Sequence, residues 1–246
     1  MSFLPTPETT GGAFAMAVVG RRSSGKSFLV TDLLKYFYKG TFDFIIWISP
    51  TFQLQDICTT GLSDCTGLIV IPDWKPEILM VLFSHMFTRN VNAEKEGRQK
   101  ERALLILDDV GLLAKKGKLS EQLDNVAFVS RNYGVSVIEV GQRITLLTTS
   151  MRSQLDALLI FREQNPQERI NLFRSLGFCD KKAFHDTIDR HTDEKYSFIG
   201  IRNLSGQLFF FNLNGKIVPL RNSGIQPGIS STSDSRIQRL RVSSGH

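Results

Sequence analysis

Ten residues near the start of the chain constrain its fold most: Val18-Val19-Gly20-Arg21-Arg22-Ser23-Ser24-Gly25-Lys26-Ser27. Gly20, Gly25, Lys26 and Ser27 meet the spacing G-x-x-x-x-G-K-[ST]. The run Ala13 to Val19 before the loop is short and apolar, as a buried strand requires. After it, Phe28, Leu29, Leu33, Leu34 and Phe37 recur at helical spacing, which puts Ser27 in the first turn of a helix. Strand, loop and helix in that order give the spacing a mechanism. Backbone N–H groups of the loop, Gly20 to Ser27 with Arg21, Arg22, Ser23 and Ser24 between, would wrap the β- and γ-phosphates of ATP. Lys26 would neutralise those phosphates, and the Ser27 hydroxyl would ligate Mg²⁺. A Gly/Ser-rich turn can match the spacing by chance, but not with these flanks.

Downstream, strand-like and helix-like stretches alternate, the mark of an α/β fold with a mainly parallel central sheet flanked by helices. Strands are expected at Phe42 to Ile48, Leu68 to Ile71, Ala103 to Leu107, Val135 to Val140 and Ala157 to Phe161. Helices are expected from Pro76, over Leu119 to Tyr133, over Ile144 to Leu155, and as two short patterns beyond Pro166. The polar span Asn90 to Arg102 either extends the Pro76 helix or forms a solvated loop. Tyr196 to Ile201 and Gln207 to Leu213 alternate around Ser205-Gly206, which predicts a C-terminal β-hairpin. The expected organisation is one P-loop ATPase domain over 1–217 and a flexible basic, Ser- and Arg-rich tail over 218–246.

Ala103-Leu104-Leu105-Ile106-Leu107-Asp108-Asp109 is an apolar strand ending in two carboxylates. Asp108 at its tip suits Mg²⁺, facing Ser27, and Asp109 is placed to take a proton from, or orient, a water attacking the γ-phosphate. An Asp-rich turn after a strand is common by itself; following a phosphate loop it gains a role. Two candidate strands separate the loop strand from this acidic one. Such an insertion is expected of the additional-strand, motor-type P-loop NTPases and not of small nucleoside kinases. The next strand ends in Gly141-Gln142-Arg143, so the Gln142 amide can hydrogen-bond the attacking water or sense the γ-phosphate.

With these elements in order, the chain resembles the DNA-packaging ATPases of large double-stranded DNA viruses, poxvirus type, within the FtsK/HerA group of P-loop ATPases. The resemblance runs from about Gly20 to Phe173. It is carried by the loop, Ile48-Ser49-Pro50-Thr51, Leu105 to Asp109, Ser130-Arg131-Asn132-Tyr133-Gly134-Val135-Ser136 leading to Gln142, and Met151-Arg152. Relatives often carry Glu where Asp109 stands and His where Asn132 stands; the shorter carboxylate still reaches a water. What the resemblance implies is a homo-oligomeric ring that hydrolyses ATP with Mg²⁺ and threads double-stranded DNA into a preformed capsid, docked on the capsid or its vertex. The implied location is the host cytoplasm or viral factory, and the virion.

A motor that fires only when assembled commonly takes an arginine from the neighbouring subunit, because charge develops on the transferred phosphoryl oxygens. Arg131 ends a helix on the side away from its own nucleotide and is one candidate; Arg152 is the other. A solvated helix end is the plain alternative for both. Arg21 and Arg22 can touch phosphates or the next subunit. For DNA, the cationic stretch Lys115-Lys116-Gly117-Lys118 and the tail residues Arg236, Arg239 and Arg241 are rival contacts.

Composition narrows the classes further. A length of 246 residues with 41% hydrophobic content suits a globular enzyme with an ample core. No apolar stretch approaches the ~18 residues of a membrane span, so no membrane partner is expected. Cys58, Cys65 and Cys179 lack metal or disulfide spacing and read as reduced thiols of an intracellular protein. The formal charge of +6 permits a polyanionic partner. Two other classes share the loop: ATPases of secretion, conjugation or phage-export systems, which normally carry a membrane anchor, and small-molecule kinases, which need an acceptor site and a lid. Neither set of features is found in the sequence.

Overall fold

Four runs are buried at every position: Ala15–Val19 (β1), Ala103–Asp108 (β4), Val135–Gly141 (β5) and Ala157–Phe161 (β6). Strands without a wet face belong in the middle of a parallel sheet covered on both sides. The computed structural model describes residues 4–50, 67–110, 126, 128–147, 149–176, 180–204, 207–211 and 217–218. With Phe44–Ile48 (β2), Leu68–Ile71 (β3), Phe198–Leu204 (β7), Gln207–Phe211 (β8) and Ile217–Val218 (β9), the strands form one sheet in the order β3-β2-β4-β5-β1-β6-β7-β8-β9. From β3 to β6 every neighbour is parallel; β7, β8 and β9 continue the same sheet antiparallel. The expected C-terminal hairpin is β7 and β8, with Leu204 opposite Gln207.

The helices are Pro7–Thr10 (α1), Lys26–Asp32 (α2), Pro76–Lys95 (α3), Thr149–Gln154 (α4), Pro166–Leu176 (α5) and Lys181–His191 (α6). A π-helical turn over Leu33–Phe37 continues α2. The side-chain period of two along β4 sorts its residues between two layers. Leu104 and Ile106 join Val30, Leu34 and Tyr38 from the α2 side, while Leu105 and Leu107 join Leu79, Leu82 and Met86 of α3. A third cluster holds Leu158 and Ile160 against Leu172 of α5 and Phe184 of α6. Each such leucine or phenylalanine contributes about 1.5–3 kcal/mol on burial.

The register aligns three strand tips. Val19 lies beside Gly141, and Asp108 beside Val140. The strand that lies between the loop strand and the acidic strand is thus β5, with Gln142 just past its end; the two strands that separate them in sequence, β2 and β3, lie on the far side of β4.

Two expectations change. The single helix over Ile144 to Leu155 is a 3₁₀ turn, Ile144–Leu146, then extended backbone at Leu147, then α4. Ile144, Leu147 and Met151 are all buried, and that spacing looks helical whether or not the backbone breaks between them. Tyr196, expected in the first hairpin strand, precedes it in a left-handed conformation with φ of 66°. The span left open after Asn90 is helical as far as Lys95. Of the helix expected over Leu119 to Tyr133, residues 126 and 128–132 are helical, and residues 119–125 lie outside the described residues.

Candidate active site at the strand tips

The phosphate loop leaves β1 at Gly20, whose N–H donates to the Gly141 carbonyl over 3.2 Å. A Cβ there would stand 2.7 Å from Cβ of Phe161 and 2.7 Å from Oγ of Ser24, so only glycine fits. The loop turns through left-handed backbone at Ser23 (φ 60°) and Gly25 (φ 100°) before α2 begins. Lys26 is buried beneath it, and its ammonium donates to the carbonyls of Gly20 (2.8 Å) and Arg21 (3.0 Å). Burial lowers the Lys26 pKa; Asp109 and then Asp108 pull it back up. Lys26 and the two carboxylates therefore form one electrostatic group.

Asp108 is 2% exposed, and its carboxyl is pushed up to about 6, first by burial and second by the charge on Asp109. Ser49, just after β2, donates from Oγ to Asp108 Oδ2 at 3.5 Å. Asp109 turns away through left-handed backbone (φ 54°), anchored by its N–H to the Val140 carbonyl at 2.9 Å. Its Oδ2 accepts from Nε2 of Gln142 at 3.4 Å, while Oδ1 is buried without a hydrogen-bond partner. The Ser24 hydroxyl is likewise buried without one. Two buried polar atoms lacking partners beside a loop and a carboxylate pair suit a polar ligand better than a closed core.

A divalent cation suits this donor set. Mg²⁺ is held through one or two carboxylates with water and substrate phosphates in the other positions. Among the described residues no cluster of three or more His, Cys, Asp or Glu forms an all-protein cage. Asp108 at the tip of β4 and Ser27 in the first turn of α2 are the protein groups available, which fits Mg²⁺ delivered with a nucleotide.

The arginines are distributed differently. Arg21 and Arg22 are exposed on the loop, and Arg21 Nη1 donates to Gln164 Oε1 at 2.7 Å. Arg131 lies at the opposite end of the strands. Its Nη2 donates to the Gln154 carbonyl and to Asp156 Oδ2, both at 2.8 Å, and Asp156 Oδ2 also accepts from the N–H of Ala15, where β1 starts. The length of β1, at ~3.3 Å per residue, separates that corner from the phosphate loop. Arg152 sits half-buried on α4. Thr51, the Lys115, Lys116 and Lys118 stretch, and Arg236, Arg239 and Arg241 lie outside the described residues.

Sequence reasoning gave residues 193–197 no part in the site, reading Tyr196 and Ser197 only as the start of a hairpin strand. This segment carries no motif, yet the Tyr196 ring packs onto Gly25, where a Cβ would stand 3.1 Å from Tyr196 Cδ1. Its only signal is three-dimensional.

A family model described as Poxvirus A32 protein matches residues 8–195, most of the chain. The chain belongs to the Poxvirus A32 protein family. A curated relative, uncharacterized protein 015R of Frog virus 3 (isolate Goorha), is 25% identical over 205 residues, covering 80% of this chain. The chain spans 58% of that relative's length. Among solved structures, the DNA-packaging ATPase B204 of Sulfolobus turreted icosahedral virus is similar with a TM-score of 0.57 at 18% identity, covering 79% of this chain and 95% of that one. The genome-packaging NTPase B204 of Sulfolobus turreted icosahedral virus 2, in complex with ATP-gammaS, gives 0.57 at 19% identity, covering 80% and 96%. The cytoplasmic domain of the Thermomonospora curvata type VII secretion ATPase EccC gives 0.52 at 16% identity, covering 82% of this chain and 25% of that one. The shared fold is that of the P-loop ATPases. No helix among the described residues of this A32-family chain is long and apolar enough to cross a membrane.

Proposed function

We propose that this A32-family ATPase hydrolyses ATP to drive double-stranded DNA into a preformed viral capsid, working as a homo-oligomeric ring. The observation that carries the hydrolytic part is the pairing of Gln142 with Asp109 at adjacent strand tips, beside the buried Lys26. DNA as the substrate track is supported by family membership and by the likeness to the packaging ATPases of the two Sulfolobus viruses.

Each residue then has a task. The N–H groups of Gly20 to Ser27 and the Lys26 ammonium hold the β- and γ-phosphates, in exchange for the loop carbonyls that Lys26 now meets. Ser27 and Asp108 would hold Mg²⁺, which when bound supplies positive charge at the β- and γ-oxygens. Asp109 accepts the proton of the attacking water, and Gln142 orients that water through the same amide that reaches Asp109. Arg131 or Arg152 of a neighbouring subunit stabilises the charge on the transferred phosphoryl group, and exposed Arg21 and Arg22 meet outer phosphates or that neighbour.

Steady-state ATP turnover by the purified chain, with and without duplex DNA, tests this reading. Turnover that rises several-fold with duplex of any sequence is expected. Turnover indifferent to duplex at low salt overturns the DNA part and leaves hydrolysis standing.

A further inference from the structure

Beside the phosphate loop lies a cavity of about 450 Å³ whose lining includes Arg22, Ser24, Phe161, Arg162, Lys195 and Tyr196. Its lining joins the loop to the segment that leads into β7. The Tyr196 ring packs against Gly25 of the loop, so a ligand with its phosphates in the loop has that ring for a neighbour. We propose that this cavity takes the nucleoside of the bound triphosphate, with the Tyr196 ring as the platform on which a purine stacks. This rests on the ATP site proposed above.

Three observations converge on Tyr196. Its φ of 66° places a bulky aromatic residue in the left-handed region, a conformation that costs free energy unless the surroundings impose it. Those surroundings are visible. Arg162, just after β6, forms an ion pair with Asp193 at 3.0 Å and donates from Nη1 to the Asp193 carbonyl at 3.1 Å. Ser197 closes the other side, donating to the Glu194 carbonyl from N (3.2 Å) and from Oγ (2.6 Å). The residue so held then leaves its side chain 57% exposed at the cavity wall while resting on Gly25. A tyrosine fixed in an unfavourable backbone state, with its ring open to a cavity beside a phosphate loop, is a stacking surface in waiting. The Lys195 ammonium stands over the ring, 4.8 Å from its centroid, so a base that stacks on that face displaces it towards the sugar or the α-phosphate.

Stacking on one aromatic ring is tolerant of base identity, because every base has a π-face, and it favours the larger purines. The cavity thus distinguishes a nucleoside triphosphate from bare triphosphate more strongly than ATP from GTP.

The test measures binding of ATP and of inorganic tripolyphosphate to the full chain by calorimetry, in wild type, Tyr196→Gly and Tyr196→Trp. Glycine removes the ring and also relieves the left-handed strain, so folding is not put at risk. Tyr196→Gly is expected to weaken ATP roughly 5- to 150-fold, the range for one base–aromatic stack, and to leave tripolyphosphate unchanged. Tyr196→Trp is expected to retain ATP affinity. Equal loss of both ligands in Tyr196→Gly overturns the proposal, because the ring then only props the loop at Gly25. Unchanged ATP affinity in Tyr196→Gly also overturns it. Wild type that binds neither ligand sinks the underlying nucleotide-site reading instead.

Discussion

The side-chain amide of Gln142 donates to the Asp109 carboxylate across the gap between two neighbouring strands, at 3.4 Å and with 33 residues of chain between them. That distance is long for a hydrogen bond and leaves room for the water that the proposed mechanism puts between the two groups. Asp109 has a second oxygen buried with no partner, and Gln142 is half-buried beside it.

Asp109→Asn keeps the size of the side chain and removes its capacity to take a proton. Binding of ATP should survive within a few-fold, while turnover falls by about 10²-fold or more. Lys26→Ala should lose both, since the loop then has no buried cation. Parallel binding and turnover assays decide this, and near-normal turnover in Asp109→Asn removes it from the chemistry.

Asp108 has a pH signature in the absence of Mg²⁺. Its folded-state pKa, about 6, stands above the ordinary carboxylate value of 3.8, so ionisation opposes folding. Below the lower value the group is protonated in both states and costs nothing. As pH rises from there to about 6 the cost grows, reaching roughly 3 kcal/mol, and stays constant above. Asp108→Asn should therefore be more stable than wild type at about pH 8 in chelator, with the difference closing towards pH 4. Chemical denaturation across that range measures it; a variant less stable than wild type at the higher pH contradicts the assignment.

Arg131 offers two readouts because it is tied within its own chain to Asp156 and the Gln154 carbonyl. Removing it takes the ion-pair partner from the partly buried Asp156 carboxylate and the donor from the Gln154 carbonyl, which should cost about 1–3 kcal/mol and lower the melting temperature. If it also serves a neighbour, Arg131→Ala and Lys26→Ala subunits, each inactive, should regain partial turnover when mixed. A lowered melting temperature without complementation in verified mixed assemblies leaves Arg131 structural and directs the same experiment to Arg152.

For DNA, replacing Lys115, Lys116 and Lys118 with Ala should leave basal ATP turnover intact and weaken its stimulation by duplex of every sequence. Binding to phosphates releases counterions, so the logarithmic salt dependence of binding should become shallower by up to ~0.9 for each phosphate no longer neutralised. An unchanged slope and unchanged stimulation exclude this stretch and direct attention to Arg236, Arg239 and Arg241.

Local patterns determined much of this protein from sequence alone. The loop spacing with its flanks, the apolar run closed by Asp108 and Asp109, and the alternation of strand and helix each depend on residues a few positions apart, where steric and solvent preferences act directly. Ile144 to Leu155 shows the limit of such patterns: apolar spacing records which residues face the core, and both a continuous helix and a broken one satisfy it. Only the tertiary structure decided which strand tips meet. The insertion of β5 between β1 and β4 brings Gln142 to Asp109, and the antiparallel return through β7 brings Tyr196 onto Gly25. The pairing of Arg131 with Asp156 at the start of β1 is of the same kind. Such neighbours are set by how crossovers order the strands, a choice made by burial summed over the whole sheet and written in no single stretch of chain.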